Sequence, residues 1–308
     1  MINILNKIKN IIRRTKKPDW EDTNLILSAN LLLKNKYWCE KPNFSEPKWI
    51  QNKEFKVYSQ FGDDGIIQWL IYFLGLKKKF GNFIEFGVGD YFESNTHFLL
   101  VNNRWSGFIM DGNKKNIDHI KSSTMYWRYN LDAKQEFITR ENIDNILKKN
   151  FKNELDLLHI DLDGIDYWIL DAINLDIFKP SILILEYNAI LGKKRKITVP
   201  YKKNFDRFLS HYSGKYFGAS LPALNHLAEE KGYYFIGCNS AGNNAYFLQN
   251  KYVSKIPKSD LLNNFQISDF RESRNKNGQL VFSNYREEID SIKGMPVINI
   301  LTGDEEKF

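Results

Sequence analysis

Only two cysteines, Cys39 and Cys238, occur among the 308 residues, and neither has a partner at metal-ligand spacing. A disulfide scaffold is excluded, and two ordinary thiols in a reducing cytoplasm are expected. No run of about 18 apolar residues exists, so a membrane-spanning helix is not expected. The stretch 66–76 is interrupted by Gln68, and the stretch 181–191 by Glu186. Hydrophobic residues at 43% and charged residues at 26% are close to globular usage, which excludes disordered and collagen-like chains. What is abundant is aromatic: 22 Phe and 16 Tyr are ample for a large core. The length allows two domains, or one large α/β domain with extensions.

Acid is missing from the first 17 residues, which hold six of the 44 basic groups. The remainder carries 38 basic residues against 37 acidic ones, so the net charge of +7 belongs to the tip and the body is neutral. A duplex-binding domain needs its own basic face, and no nucleic-acid partner is expected. Ile2, Leu5, Ile8, Ile11 and Ile12 recur at helical spacing among these cations. The segment also lacks the separate apolar stretch and cleavage site of a secretory signal. It reads as a basic amphipathic helix with two open destinations. One is the anionic inner face of a membrane, as a peripheral contact from the cytoplasm. The other is its own domain or a partner subunit of a homo-oligomer.

Residues 18–60, punctuated by Pro18, Pro42 and Pro47, read as an irregular lead-in. Strands and helices then alternate. Short apolar strands are expected at 83–87, 107–111, 155–161 and 182–186, with a further one at 126–129. Helices are expected at 94–103, around Ile117, over 134–150, at 167–172 and near 221–231. Residues 233–237 and 245–248 are close enough to form a hairpin. The pattern implies a doubly wound, mostly parallel sheet with helices on both faces and an antiparallel hairpin at its end. Residues 251–308 read as an irregular extension.

In such a sheet, ligands bind outside the carboxyl ends of the strands, where strand order reverses. The first strand ends in Glu85-Phe86-Gly87-Val88-Gly89-Asp90, and the second ends in Asp111, 22 residues after Gly89. That spacing suits a carboxylate receiving ribose hydroxyls. A dinucleotide would need a third glycine, but Asp90, Tyr91 and Phe92 follow Gly89. Glu85, Asp90 and Glu93 would repel a pyrophosphate, which disfavours an NAD-linked oxidoreductase. They suit a ligand bearing an ammonium and a sulfonium, as S-adenosylmethionine does.

The ordered series YSQFGDDGII, FIEFGVGD, SNT, WSGFIMDG, LLHIDLDGIDYWIL, ILILEYNA, VPY and GASLPALNHLAEEKGYYFIG resembles the FkbM-like branch of class I S-adenosylmethionine-dependent methyltransferases. The resemblance spans residues 57–250. It implies a Rossmann-like, seven-stranded sheet flanked by a lead-in at 1–56 and an extension at 251–308. It places Glu85, Gly87 and Gly89 at the methionine end of the cofactor and Asp111 at the ribose.

A second cluster ends the fourth and fifth strands: Asp161 and Asp163 in HIDLDG, then Glu186 and Asn188 in LEYNA. Adjacent strand ends lie about 4.8 Å apart, so these groups can converge. Carboxylates with an amide suit Mg²⁺ or Mn²⁺, and they suit removal of a hydroxyl proton. The cluster is similar to that of macrocin-type sugar O-methyltransferases, which hold a metal at these strand ends. Asp163 and Glu186 are the catalytic candidates, Asp163 as base. Asp161 is assigned to the cofactor's ammonium, and Asp163, Glu186 and Asn188 to a metal. His159 lies inside an apolar strand and is expected to be a core residue. His211 and His226 fall near expected helix ends. Lys193-Lys194-Arg195-Lys196 is either a solvated loop or a clamp for an anionic acceptor. The expected function is methylation, at oxygen, of a sugar, glycan precursor or related small molecule, as in polysaccharide biosynthesis. A nucleic-acid methyltransferase and an inactive binding or assembly protein are the alternatives.

Overall fold

The computed structural model describes residues 20–76, 81–151, 155–268, 270 and 272–308. The basic segment 1–17, and with it the expected amphipathic helix, lies outside the described residues.

Apolar runs form the centre of the sheet: β1 (Asn82–Phe86), β2 (Ser106–Asp111), β4 (Leu157–Ile160) and β5 (Ile182–Glu186). Strands β4 and β5 are buried at every position, as expected of parallel strands covered on both faces. With β3 (Leu131–Gln135), β7 (Tyr233–Cys238) and β8 (Asn244–Gln249) they make seven strands in the order β3-β2-β1-β4-β5-β8-β7. Strands β1 to β5 pair in parallel, while β8 runs antiparallel to both β5 and β7. The doubly wound sheet and its terminal hairpin are as expected.

Alternate residues feed two core layers. Ile84, Phe86, Leu158 and Leu183 pack with Ile169, Leu170 and Leu224 on one side. Phe83, Ile109, Leu157 and Ile184 pack with Ile66, Trp69 and Leu70 on the other. The chain winds outward through β2 and β3, then crosses back to β4. Strand order therefore reverses between β1 and β4, which locates the ligand crevice.

Five expectations are corrected. The lead-in is ordered: it holds a helix at Trp20–Leu33 and a 3₁₀ turn at Trp49–Lys53. Trp49 is buried, with its ring edge-on to Trp69 at 5.5 Å and to Phe44 at 4.9 Å. Residues 124–128 form a helix capped by Ser123, and the third strand follows at 131–135. After β1 the helical segment is only a π-turn at Leu99–Asn103, and the helix expected over 134–150 is confined to Ile143–Asn150. Finally, residues 251–308 are not irregular. They supply β9 (Pro296–Asn299) and β10 (Glu305–Lys307), which pair with β6 (Ile197–Thr198) in a second, three-stranded sheet. No helix among the described residues is long and apolar enough to cross a membrane.

The second sheet closes over a small core in which Ile292 and Val297 meet Ile190, Leu191, Ile197 and Tyr216, and Ile292 is fully buried. Ile292→Ala is expected to lower stability by about 2–5 kcal/mol, the range for truncating a buried isoleucine. Urea unfolding of the full chain checks this. An unchanged midpoint would mean that the extension contributes nothing to the fold.

Candidate active site

At the reversal point, Gly87 continues β1 by donating its N–H to Met110 O at 2.9 Å. Its φ is +74°, and a Cβ there would lie 1.6 Å from Asp161 O. Only glycine lets the ends of β1 and β4 come this close. Two adjoining cavities, about 410 and 660 Å³, share Gly87, Gly89 and Asp161 in their walls.

The larger cavity runs toward β2 and is also lined by Asp111, Asn113, Asn116, Phe137 and Ile138. Asp111 Oδ2 accepts from Gly89 N at 2.9 Å. Its Oδ1 accepts from Asn113 N at 2.7 Å and Asn116 Nδ2 at 3.1 Å. A carboxylate offers about four acceptor positions, so capacity remains for a ligand hydroxyl.

The smaller cavity is lined by Glu85, Gln60, Asp90, Glu93, Asn95, His159, Asn243 and Asn244. Glu85 is only 3% exposed, and its oxygens are taken up by the protein. Oε2 accepts from Ser94 Oγ at 2.5 Å and from Thr96 Oγ1. Oε1 accepts from Asn95 N at 3.1 Å and lies 2.8 Å from His159 Nδ1. Burial pushes the Glu85 carboxyl up, but the hydrogen bond and charge of His159 outweigh it, and the net shift is downward. Burial pushes His159 down, and the same contact with Glu85 lifts it above its ordinary value. The two form a buried ion pair. His159 is therefore a wall of the cavity, a role its apolar strand concealed.

Asp161, Asp163 and Glu186 bring one carboxylate oxygen each within 4.8 Å of one another. Burial, then the charges of neighbouring carboxylates, raises both Asp161 and Glu186 above the usual range. Glu186 Oε2 is buried with no hydrogen-bond partner among the described residues. Asp163 has a left-handed backbone (φ +53°). The adjacent turn is held by Asp166, which accepts from Leu162 N at 2.7 Å and Gly164 N at 3.1 Å.

Of the donor set expected for a divalent ion, Asp163 and Glu186 come together but Asn188 does not join them. Asn188 is 4% exposed and its amide closes a loop, accepting from Ile190 N and donating to the carbonyls of Lys215 and Phe217 at 2.9 Å. Asp163 is paired with the guanidinium of Arg207. Asp161 and Glu186 alone are left without a cation, and they do not make a built metal site.

Several participants went unnoticed in the sequence. In YSQFGDDG, Asp64 Oδ2 gathers the N–H groups of Val57, Tyr58 and Ser59 at 2.7–2.8 Å, which shapes the loop carrying Gln60. Asp63 accepts from Asn239, Asn244 and Tyr246. Arg207 had no signal beyond lying between Phe205 and Phe208. The run 193–196 lines neither cavity: Arg195 pairs with Glu306 at 2.6 Å, and Lys196 Nζ lies 3.2 Å from His226 Nδ1.

A mostly parallel seven-stranded sheet in this order has the Rossmann-like fold of class I methyltransferases. The chain belongs to the FkbM methyltransferase family, whose domain model, "Methyltransferase FkbM domain", matches residues 54–233, more than half of its length. No curated protein matches the chain. Among solved structures it is similar to the CurJ carbon methyltransferase, at 11% identity and TM-score 0.40, covering 65% of this chain and 57% of that one. It is similar to TrmK of M. capricolum in complex with S-adenosyl-homocysteine, at 14% identity and TM-score 0.33, covering 58% and 65%. A methyltransferase from Clostridium acetobutylicum ATCC 824 is also similar, at 9% identity and TM-score 0.38, covering 61% and 90%. The chain thus covers less than two thirds of the first two.

The buried pair makes a prediction about pH. Its ordinary values are 4.5 for the carboxyl and 6.5 for the imidazole. A raised histidine stabilises fully below 6.5, and that contribution is lost as pH rises through its folded value. The lowered Glu85 stabilises above 4.5 and loses its contribution as pH falls through its folded value. As pH rises above 6.5, unfolding free energy should therefore fall more steeply in the native chain than in His159→Gln. Equal slopes in urea unfolding would show that His159 is neutral in the fold.

Proposed function

We propose that the protein transfers the methyl group of S-adenosylmethionine to a hydroxyl of a carbohydrate or related uncharged small molecule. The observation that carries this reading is the meeting of the two cavities at Gly87, Gly89 and Asp161, with Glu186 beside them. A cofactor whose ribose hydroxyls reach Asp111 would bring its methionine end to Gly87. Its ammonium would then face Asp161, and its sulfonium an acceptor entering past Glu186.

In this reading oxygen attacks the methyl carbon as the carbon–sulfur bond breaks, and the hydroxyl proton must leave as the new bond forms. Burial and the charges of neighbouring carboxylates raise Asp161 to about 7 and Glu186 upward as well, so this pair is suited to taking up a proton. That pair suits a general base better than Asp163, whose carboxylate is held by Arg207. No step is routed through a metal. Among the described residues no lysine or arginine lines either cavity, whereas eight carboxylates do. Such a lining favours uncharged acceptors and speaks against nucleic acid and against a phosphorylated acceptor.

Calorimetric titration with S-adenosylhomocysteine tests the cofactor half. Asp111→Ala should remove one or two charge-assisted hydrogen bonds of about 1.5–3 kcal/mol each and weaken binding at least tenfold. Unchanged affinity would remove Asp111 from the cofactor site. The acceptor half predicts that Glu186→Gln lowers turnover by about 10²–10⁴, the range for a lost general base. Full activity in that variant, in a methyl-transfer assay over a panel of sugars, would overturn the assignment.

A further inference from the structure

We propose that the guanidinium of Arg207 stands where a divalent cation would otherwise sit against these carboxylates, so that this chain needs no metal at its acceptor site. Arg207 is then the residue that positions Asp163. The proposal rests on reading Asp161, Asp163 and Glu186 as the acceptor side.

Three carboxylates with oxygens within 4.8 Å of one another repel strongly unless a cation is near. Metal-dependent sites meet that need with an ion that draws all the carboxylates inward. Here a side chain meets part of that need, at Asp163. Arg207 is 5% exposed, and its Nη1 pairs with Asp163 Oδ1 while its Nη2 pairs with Glu272 Oε1. Its Cζ lies 4.5 Å from the centroid of the Phe217 ring and 5.2 Å from that of Phe208.

Glu272 is itself held by Lys215 at 3.2 Å, and Lys215 by Glu288 at 3.2 Å. The guanidinium is thus fixed by two carboxylates and two rings. It also favours the ionised form of Glu186, which places its field inside the cluster. Arginine stays charged at every working pH. A divalent ion binding all three carboxylates would have to pull Asp163 away from it and then face a fixed positive charge. Arg207 Nε is buried with no hydrogen-bond partner among the described residues.

Asp163 gains most from this arrangement. Its side chain is 63% exposed, and its backbone is in the left-handed region that favours glycine. An exposed carboxylate on such a turn would sample several directions, and a fork anchored in the core selects one.

The test is Mn²⁺ binding by the full-length protein saturated with S-adenosylhomocysteine, read from the electron paramagnetic resonance signal of free Mn²⁺. The native chain should bind no Mn²⁺ at the cluster below about 1 mM. Arg207→Met, which leaves Asp163 uncompensated as well, should gain Mn²⁺ affinity of at least about tenfold, and Glu186→Gln added to it should abolish the gain. A residue that merely supported the fold would produce no such gain. Micromolar Mn²⁺ binding by the native chain, lost in Glu186→Gln, would overturn the proposal. So would an Arg207→Met protein with an unchanged melting temperature and no new Mn²⁺ affinity. If Arg207→Met does not fold, the native titration decides alone. Failure of the native chain to bind S-adenosylhomocysteine would count against the methyltransferase reading, while the Mn²⁺ titration of the unliganded chain would still decide the role of Arg207.

Discussion

The site depends on one buried carboxylate. Glu85 ends β1, and its two oxygens bind Ser94, Asn95 and Thr96 from the segment after the strand and His159 from β4. Taking a carboxylate out of water is costly unless its lone pairs are satisfied and its charge is balanced. Here both conditions are met by groups that wall the smaller cavity. Satisfying Glu85 therefore also fixes the cavity's shape. Its oxygens are occupied before any ligand arrives, so its part is to build the wall and hold a protonated imidazole beside Asp161. A glutamine would satisfy some of these donors but would strand the histidine charge.

The same balance of charge explains the rest of the crevice. Eight acids in the walls need local compensation, and four of them find it by pairing: Glu93 with Lys56, Glu136 with Lys134, Asp163 with Arg207, Glu85 with His159. Asp161, at the junction of the two cavities, and Glu186 close to it carry no ion pair among the described residues. Groups with strongly raised affinity for protons cost stability, and their persistence in a cleft is a mark of function. A cofactor bringing an ammonium and a sulfonium would supply the missing positive charge, which fits a crevice completed electrostatically by its own ligand.

Much of this was legible in the sequence, for identifiable reasons. Strands β1, β2, β4 and β5 announce themselves because parallel strands covered on both faces must be nearly continuous apolar runs. The glycine turn and Asp111 follow from the reversal of strand order. Edge strand β3 was missed because Leu131 and Ala133 alternate with Asp132 and Lys134, a weak signal beside the aromatic run at 126–129. His159 was read as core because burial and function coincide when a histidine's partner is a buried acid. Asn188 sits at the right strand end, yet its amide is needed to close a loop between carbonyls more than 25 residues away in sequence. Arg207 was invisible for the same reason: its partners Asp163 and Glu272 are brought to it only by the fold.

That last point bears on where the catalytic unit ends. The family match stops at residue 233, but β8 at 244–249 completes the sheet and sets Asn244 opposite Glu186. Farther along, Glu272 and Glu288 join Arg207 and Lys215 in an alternating series of charges that begins at Asp163. Ser273 Oγ closes the series by donating to Glu288 at 2.5 Å. A series whose inner members Arg207, Lys215 and Glu288 are buried is stable only when they are satisfied, because removing one leaves its neighbours charged and unpaired. The segment after residue 250 is therefore bound energetically to the acceptor side of the crevice. Its carboxylates hold the guanidinium that holds Asp163. Differences between relatives in this segment would act directly on the geometry of the acceptor site, although the shared motifs lie elsewhere.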